Sequence, residues 1–179
     1  MKSLHVVLSG AAMAALLLLP PRTLHAQRTE SDLHGGASAG LNIPLNALSS
    51  DVQTGYIMNG FVQGTPQGWP VALRGEIAYS GFSGKHNLVN QNITTLMING
   101  VLPVVPGGGD TPYFIGGVGL HHVSSYFGFQ TENDLGLNFG GGYQWRLGDM
   151  RYFAELRYYY VAHTGASRQF LPLTFGVTF

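Results

Sequence analysis

From residue 33 onward the chain alternates apolar positions with small or polar ones, and no stretch holds the 3.6-residue period of an amphipathic helix. Period two predicts strands with two unlike faces. In the third segment Val71, Leu73, Gly75, Ile77 and Tyr79 share one face, and Ala72, Arg74, Glu76, Ala78 and Ser80 the other. The sixth sets Leu135, Leu137, Phe139, Gly141, Tyr143, Trp145 and Leu147 against Gly136, Asn138, Gly140, Gly142, Gln144 and Arg146. The seventh sets Tyr152, Ala154, Leu156, Tyr158 and Tyr160 against Arg151, Phe153, Glu155, Arg157 and Tyr159. The last sets Leu171, Leu173, Phe175, Val177 and Phe179 against Phe170, Pro172, Thr174, Gly176 and Thr178. The first, about 33–43, opposes Leu33, Ala37, Ala39, Leu41 and Ile43 to His34, Ser38 and Asn42. Segments at about 54–64, 93–103 and 112–123 alternate less cleanly.

The result is eight segments of about ten residues, the length a tilted strand needs to cross a hydrocarbon layer. An even count suits a closed antiparallel barrel. Gly148-Asp149, residues 106–110 and residues 65–68 read as short turns on the periplasmic side. The connections near 44–53, 82–92, 124–131 and 163–169 would face outward as loops. They are modest for that side, which weakens a reading as a surface adhesin.

Composition separates a membrane barrel from a soluble one. Charged residues make up 10% of the chain, against about 25% in soluble domains. A soluble barrel would need many Lys and Glu on its polar face. Here that face is mostly Gly, Ser, Thr and Asn, with a few charges of opposite sign. Arg74 accompanies Glu76, and Arg146, Arg151 and Arg157 accompany Glu155. Buried charges need partners, and an eight-stranded barrel is just wide enough for side chains to fill. Arg74, Glu76, Arg146, Glu155 and Arg157 are therefore expected to form a lumen charge network, as a structural plug or as the gate of a narrow pore. Tyr79, Tyr143, Trp145, Tyr152 and Tyr160 fit aromatic girdles at the two membrane interfaces. Glycine is 26 of 179 residues, about twice its usual share of ~7%.

Ahead of the strands, Lys2 opens a positive start and residues 4–19 form an apolar stretch. Pro20 and Pro21 break it, and Ala26 precedes Gln27. This is the layout of a cleavable signal peptide over 1–26, with the barrel domain over 27–179. The alternative, an uncleaved anchor, would need roughly 20 apolar residues. Removing Lys2 and Arg22 leaves seven basic and nine acidic residues, which gives no electrostatic case for nucleic acid. With no cysteine there is no disulfide, thiolate metal site or lipid-modified N-terminal Cys.

Three stretches carry a family likeness. Residues 112–120, PYFIGGVGL, resemble the glycine-spaced strand of small barrels of the outer membrane protein A and opacity-protein type. Residues 153–160, FAELRYYY, and 170–179, FLPLTFGVTF, resemble the last two strands of that superfamily. Leu171, Leu173, Phe175, Val177 and Phe179 resemble the C-terminal signal read by the barrel-assembly machinery. The resemblance implies an all-β fold, an eight-stranded antiparallel transmembrane β-barrel in the bacterial outer membrane, in contact with membrane lipid and lipopolysaccharide. Pro172 departs from the pattern, because proline removes a ladder donor. A local bulge is expected there.

Candidate chemistry is sparse. Some eight-stranded outer-membrane barrels are lipid A deacylases with a Ser, His and acidic triad. His122 and Ser124 lie two apart and share a face, with His121, Ser125 and Glu132 nearby. The Ser-Asn pairing expected after the His is absent, and Glu132 falls beyond a loop. His34, His121, His122 and His163 have no spacing that forces a metal site. No cofactor is expected. The glycines at 116, 117 and 119 precede no helix pattern, so they make no dinucleotide loop. The function expected is a non-catalytic structural, surface or envelope-maintenance role. A narrow pore is the runner-up, and a lipid A-modifying enzyme the third reading.

Overall fold

The computed structural model describes residues 33–85, 90–105, 110–125, 131–163 and 167–179. The expected signal peptide and the start of the barrel domain at Gln27 lie outside the described residues. The elements are β1 (Leu33–Leu45), α1 (Asn46–Asp51), β2 (Gly55–Gly64), β3 (Ala72–Phe82), β4 (Gln91–Pro103), β5 (Thr111–Ser125), β6 (Thr131–Leu147), β7 (Met150–Val161) and β8 (Arg168–Thr178). The strands form one closed antiparallel barrel in chain order, with β1 paired to β8. Closure satisfies both sheet edges, which is the condition for a sheet to live in lipid.

The closing seam runs to the last residue. Gly35 and Phe179 exchange both backbone hydrogen bonds, at 3.1 and 2.9 Å. The odd-numbered residues of β8 thus turn their backbone donors toward β1, and the even-numbered ones toward β7. Pro172 lacks a donor on the β7 side, where Arg157 should be its partner. The β7–β8 ladder skips that position and the next, then resumes at Tyr159↔Phe170 in the same register. The expected bulge is therefore corrected: one hydrogen bond is missing and no residue is inserted.

The alternating faces sort as predicted. Ser38, Asn42, Asn59, Arg74, Glu76, Asn99, Glu155, Arg157 and Thr174 point into the barrel and are buried. Leu41, Leu73, Ile77, Leu137, Phe139, Leu156 and Phe175 point out and are exposed. The less regular segments follow the same rule, with Ile57, Ile93, Met97, Ile115 and Val123 inside. Their mixture of inward apolar and polar residues is what blurred the pattern.

One connection differs from expectation. Residues 44–53 hold a short helix, α1, which turns Leu48 and Val52 into the barrel mouth. Val52 forms an isolated bridge with Gly84. Gln53 N–H donates to the Ser83 carbonyl at 2.8 Å, and the Lys85 ammonium donates to the Ser49 carbonyl at 2.7 Å. The β1–β2 connection is thereby tied to the β3–β4 connection across the mouth. Leu48 and Val52 join Phe82, Ile93, Val123, Val161 and Phe170 in an apolar cluster that fills this end. A second apolar cluster, including Phe61, Val101, Ile115 and Phe153, fills the end with the short turns.

Candidate functional site

Between the two apolar clusters lies a layer of buried charge. In a ring of eight, β3 and β7 stand four places apart, so they face each other across the lumen and run in the same direction. β3 carries Arg74 then Glu76, and β7 carries Glu155 then Arg157. The charge order is reversed between parallel-running strands, so each level brings opposite signs together. Arg74 Nη1 lies 2.9 Å from Glu155 Oε2, and Arg157 Nη2 lies 2.7 Å from Glu76 Oε2. Arg157 Nε also reaches Glu155 Oε1, at 2.5 Å. All four residues are at most 4% exposed.

Neutral neighbours complete the layer. Tyr113 OH donates to Glu155 Oε2 at 2.7 Å, and Arg74 Nε donates to Gln63 Oε1 at 2.8 Å. Arg157 Nη1 donates to Tyr159 OH at 3.0 Å. The Arg74 guanidinium sits 4.3 Å from the Phe61 ring centre, in cation–π range. Two arginines and two glutamates sum to zero charge, which a desolvated site requires.

The predicted network is thus rearranged in two respects. Arg74 and Glu76, expected together, pair instead across the lumen with Glu155 and Arg157, while the expected contact of Arg157 with Glu155 forms along β7. Arg74 and Glu76 point the same way into the lumen, and each meets a side chain from the opposite wall on the axis. Arg146 does not join the layer. It has the right face but the wrong depth: the register sets it against Arg151 at the turn end, where it is exposed. Its backbone N–H donates to Asp110 at 2.9 Å. The sequence reading missed Gln63, Tyr113 and Tyr159 as members. Tyr159 sits on the inward face with Glu155 and Arg157, and that shared face was the available signal.

The histidines diverge. His121 faces inward, fully buried, with Nδ1 2.9 Å from Thr95 Oγ1. His122 faces outward, with Nδ1 2.8 Å from Asn133 Oδ1. His163 lies 3.3 Å from Asp134, which also binds Arg168 at 2.7 Å, an ion cluster at the loop end that the sequence did not announce. His34 borders a cavity of about 10 Å³ at the turn end. Among the described residues no three His, Cys, Asp or Glu converge as a metal site would require. Of the residues considered for lipid A chemistry, His122 and Ser124 fall on the outer face and His121 inside. Asn133 holds the ring of His122, and the backbone of Glu132 pairs with Val123, the inward-facing residue between His122 and Ser124.

The outer wall is a continuous apolar band. Along β6 it runs from Leu135 to Tyr143, eight residue steps. That is about 27 Å along the strand, or about 21 Å along the axis at a tilt of about 40°, close to the ~25 Å band of membrane barrels. Aromatic rings mark both borders. Tyr143, Trp145 and Tyr152 stack in series at the turn end, with centroids 6.5 and 6.3 Å apart. Tyr56 and Tyr79 meet at 6.2 Å near the loop end. A closed sheet with an apolar, aromatic-bordered exterior and a filled interior that carries a buried ionic layer decides the architecture.

The fold is that of the eight-stranded bacterial outer-membrane barrel. No family model matches the chain, and no curated protein sequence does. Solved structures do. The Neisserial surface protein A superposes with a TM-score of 0.64 at 13% identity, covering 82% of this chain and 95% of that one. The N-terminal β-barrel domain of Pseudomonas aeruginosa OprF gives a TM-score of 0.51 at 14% identity, covering 84% and 100%. A major outer membrane protein from Thermus thermophilus gives 0.51 at 12% identity, covering 84% and 98%. At these identities the outer-membrane barrel likeness is one of fold, and fold does not specify a task.

Proposed function

We propose that this chain is an exported, non-catalytic integral barrel of the bacterial outer membrane, and that its lumen is a structural plug. The observation that carries the reading is the neutral ionic layer, closed above and below by apolar clusters. An open pore needs a continuous polar path; the apolar cluster at the loop end interrupts it, and at the turn end the cavity that reaches Arg74 is only about 10 Å³. Its role is then set by its walls and its surface, in maintaining the envelope or presenting the loop end outside. Residues 1–26 act as the export signal, and the mature chain begins at or near Gln27. Leu171, Leu173, Phe175, Val177 and Phe179 serve as the assembly signal. Support for this comes from the seam, where Phe179 closes on Gly35 with its ring outside.

Planar-bilayer recording tests the plug. The refolded protein is expected to give no reproducible conductance steps, and Glu155→Gln to create none. Regular channel events in the wild type, altered by Glu155→Gln, would replace the plug with the narrow-pore reading. Unchanged lipid A acylation in a Ser124→Ala strain is expected; a lost acyl-chain modification would revive the enzyme.

A further inference from the structure

The strand registers locate a sharp polar boundary on the outer wall near the loop end. One cross-strand row runs Ile77, Leu96, Leu120, Leu135 and is wholly apolar. The next row toward the loops runs Tyr79, Thr94, His122, Asn133. Beyond it comes Tyr56, Gly81, Asn92, Ser124. Lipid-facing chemistry changes within one residue pair, from hydrocarbon-like to hydrogen-bonding. A groove of about 390 Å³ opens in these two polar rows, over β2, β3 and β4. That volume is in the range of small-molecule sites, about 300–1,000 Å³.

The groove has a built floor. A Cβ at Gly81 would meet the Tyr56 ring at 2.6 Å, so only glycine lets that ring lie across β3. Tyr79 stands beside it, tilted by 42°. The rim is made of Thr54, Ser83, Asn90 and Asn92, and Asn90 is held in place by accepting the Gly84 N–H at 3.1 Å. Among the described residues, none lining the groove is a lysine, arginine, aspartate or glutamate. Phosphate or carboxylate recognition would call for cations. Two phenol rings with hydroxyl and amide partners suit a ligand with apolar C–H faces and many neutral hydroxyls.

We propose that this groove holds the uncharged sugar of a membrane-anchored glycolipid in the leaflet at the loop end. The sugar stacks on Tyr56 and Tyr79 and hydrogen-bonds to Asn90 and Asn92. Its acyl chains lie along the apolar row at Ile77 and Leu96. The anchored source follows from position, because the groove opens one row above the hydrocarbon boundary. The inference rests on the membrane-spanning reading, which heat-modifiable gel mobility of the nanodisc-embedded barrel tests by itself.

Monoglucosyl diacylglycerol and phosphatidylcholine of matched acyl chains are mixed in nanodiscs with the folded barrel, and retained lipid is counted by native mass spectrometry. The wild type is expected to enrich the glycolipid by about ten-fold, the scale of one or two net hydrogen bonds. Tyr79→Leu and Asn92→Leu are expected to lower that enrichment several-fold, while Tyr143→Leu at the other girdle leaves it unchanged. Variants are compared only where the mobility shift reports a folded barrel. Equal retention of both lipids by the wild type overturns the proposal, as does a preference that survives Tyr79→Leu together with Asn92→Leu. Preferential retention of phosphatidylglycerol would assign the groove to an anion instead. Displacement by free methyl glucoside at matching concentration would assign it to a soluble sugar. Either result rejects the anchored, neutral ligand.

Discussion

Replacing Glu155 by Gln changes one oxygen for an NH₂ group and tests the energetics of the lumen directly. Glu155 accepts hydrogen bonds from Arg74, Arg157 and Tyr113. Glutamine keeps one acceptor oxygen and places a donor where the other was, facing guanidinium or phenol. The layer then carries one uncompensated positive charge at a site almost out of reach of water. Hydrogen bonds to charged groups contribute about 1.5–3 kcal/mol each, and breaking a buried pair by removing one partner costs about 3–5 kcal/mol. A loss in that range is expected, read as a lower urea midpoint at unchanged slope in lipid vesicles. The companion variant removes the whole unit: Arg74→Met, Glu155→Leu and Tyr113→Phe. Arg157 and Glu76 remain as a neutral pair, and no phenol is left without its acceptor. Apolar replacement of a whole buried pair is often neutral or stabilising, so this triple variant is expected to unfold at higher urea than the single one. A Glu155→Gln midpoint within about 1 kcal/mol of wild type, or a triple variant no better than the single, would refute the view that pairing across the lumen holds the layer.

Two further predictions concern the walls and the lid. At Gly40 a Cβ would meet the Leu173 carbonyl at 1.9 Å, whereas at Gly75 it would meet nothing within 4 Å. Gly40→Ala is expected to cost about 1–3 kcal/mol, and Gly75→Ala to be neutral or to stabilise by up to about 1 kcal/mol, both by vesicle unfolding. Leu48→Ala removes most of the buried side chain that anchors α1 in the mouth. Protease cleavage over residues 46–54 is expected to rise, at a cost of about 2 kcal/mol or more, while bilayer conductance stays absent because the ionic layer lies deeper.

How much of this was legible in sequence follows from what period two encodes. Alternation reports the face of each residue, and it places Arg74, Glu76, Glu155 and Arg157 inside. It does not report depth along the axis. Arg146 shares their face and sits at the rim, four positions beyond Gly142, the β6 partner of Glu155. It also does not report which walls oppose each other, which depends on closure. α1 was invisible for another reason: six residues with Leu48 as their only large apolar group carry no period, and tertiary burial of Leu48 decides the helix. The groove required the registers of β2, β3 and β4 together. Tyr56 and Gly81 are 25 positions apart in sequence and become partners only through pairing.

The reversed order of charges on β3 and β7 leads to the sharpest test of the architecture. Arg-x-Glu facing Glu-x-Arg on strands of the same direction is complementary at one relative height. A displacement of two residues, which preserves every face, would set Arg74 level with Arg157 or Glu76 level with Glu155. The apolar exterior cannot distinguish that slipped arrangement, since a shift by two keeps lipid-facing residues on the lipid side. The ionic layer can, because like charges brought together without water cost several kcal/mol. Exchanging the pair on β7, Glu155→Arg with Arg157→Glu, leaves composition, net charge and patterning untouched while opposing like charges at both levels. This variant is expected to fold poorly, with little heat-modifiable species. Adding the matching exchange on β3, Arg74→Glu with Glu76→Arg, restores complementarity at both levels. Folding yield is expected to recover toward wild type, although Tyr113 and Gln63 then face groups of the opposite sign. If the β7 exchange alone folds as well as the wild type, the charge order carries no register information. If the four-site exchange folds no better than the two-site one, the layer depends on its phenol and amide neighbours more than on charge order, and the account of how β3 and β7 find each other's height is wrong.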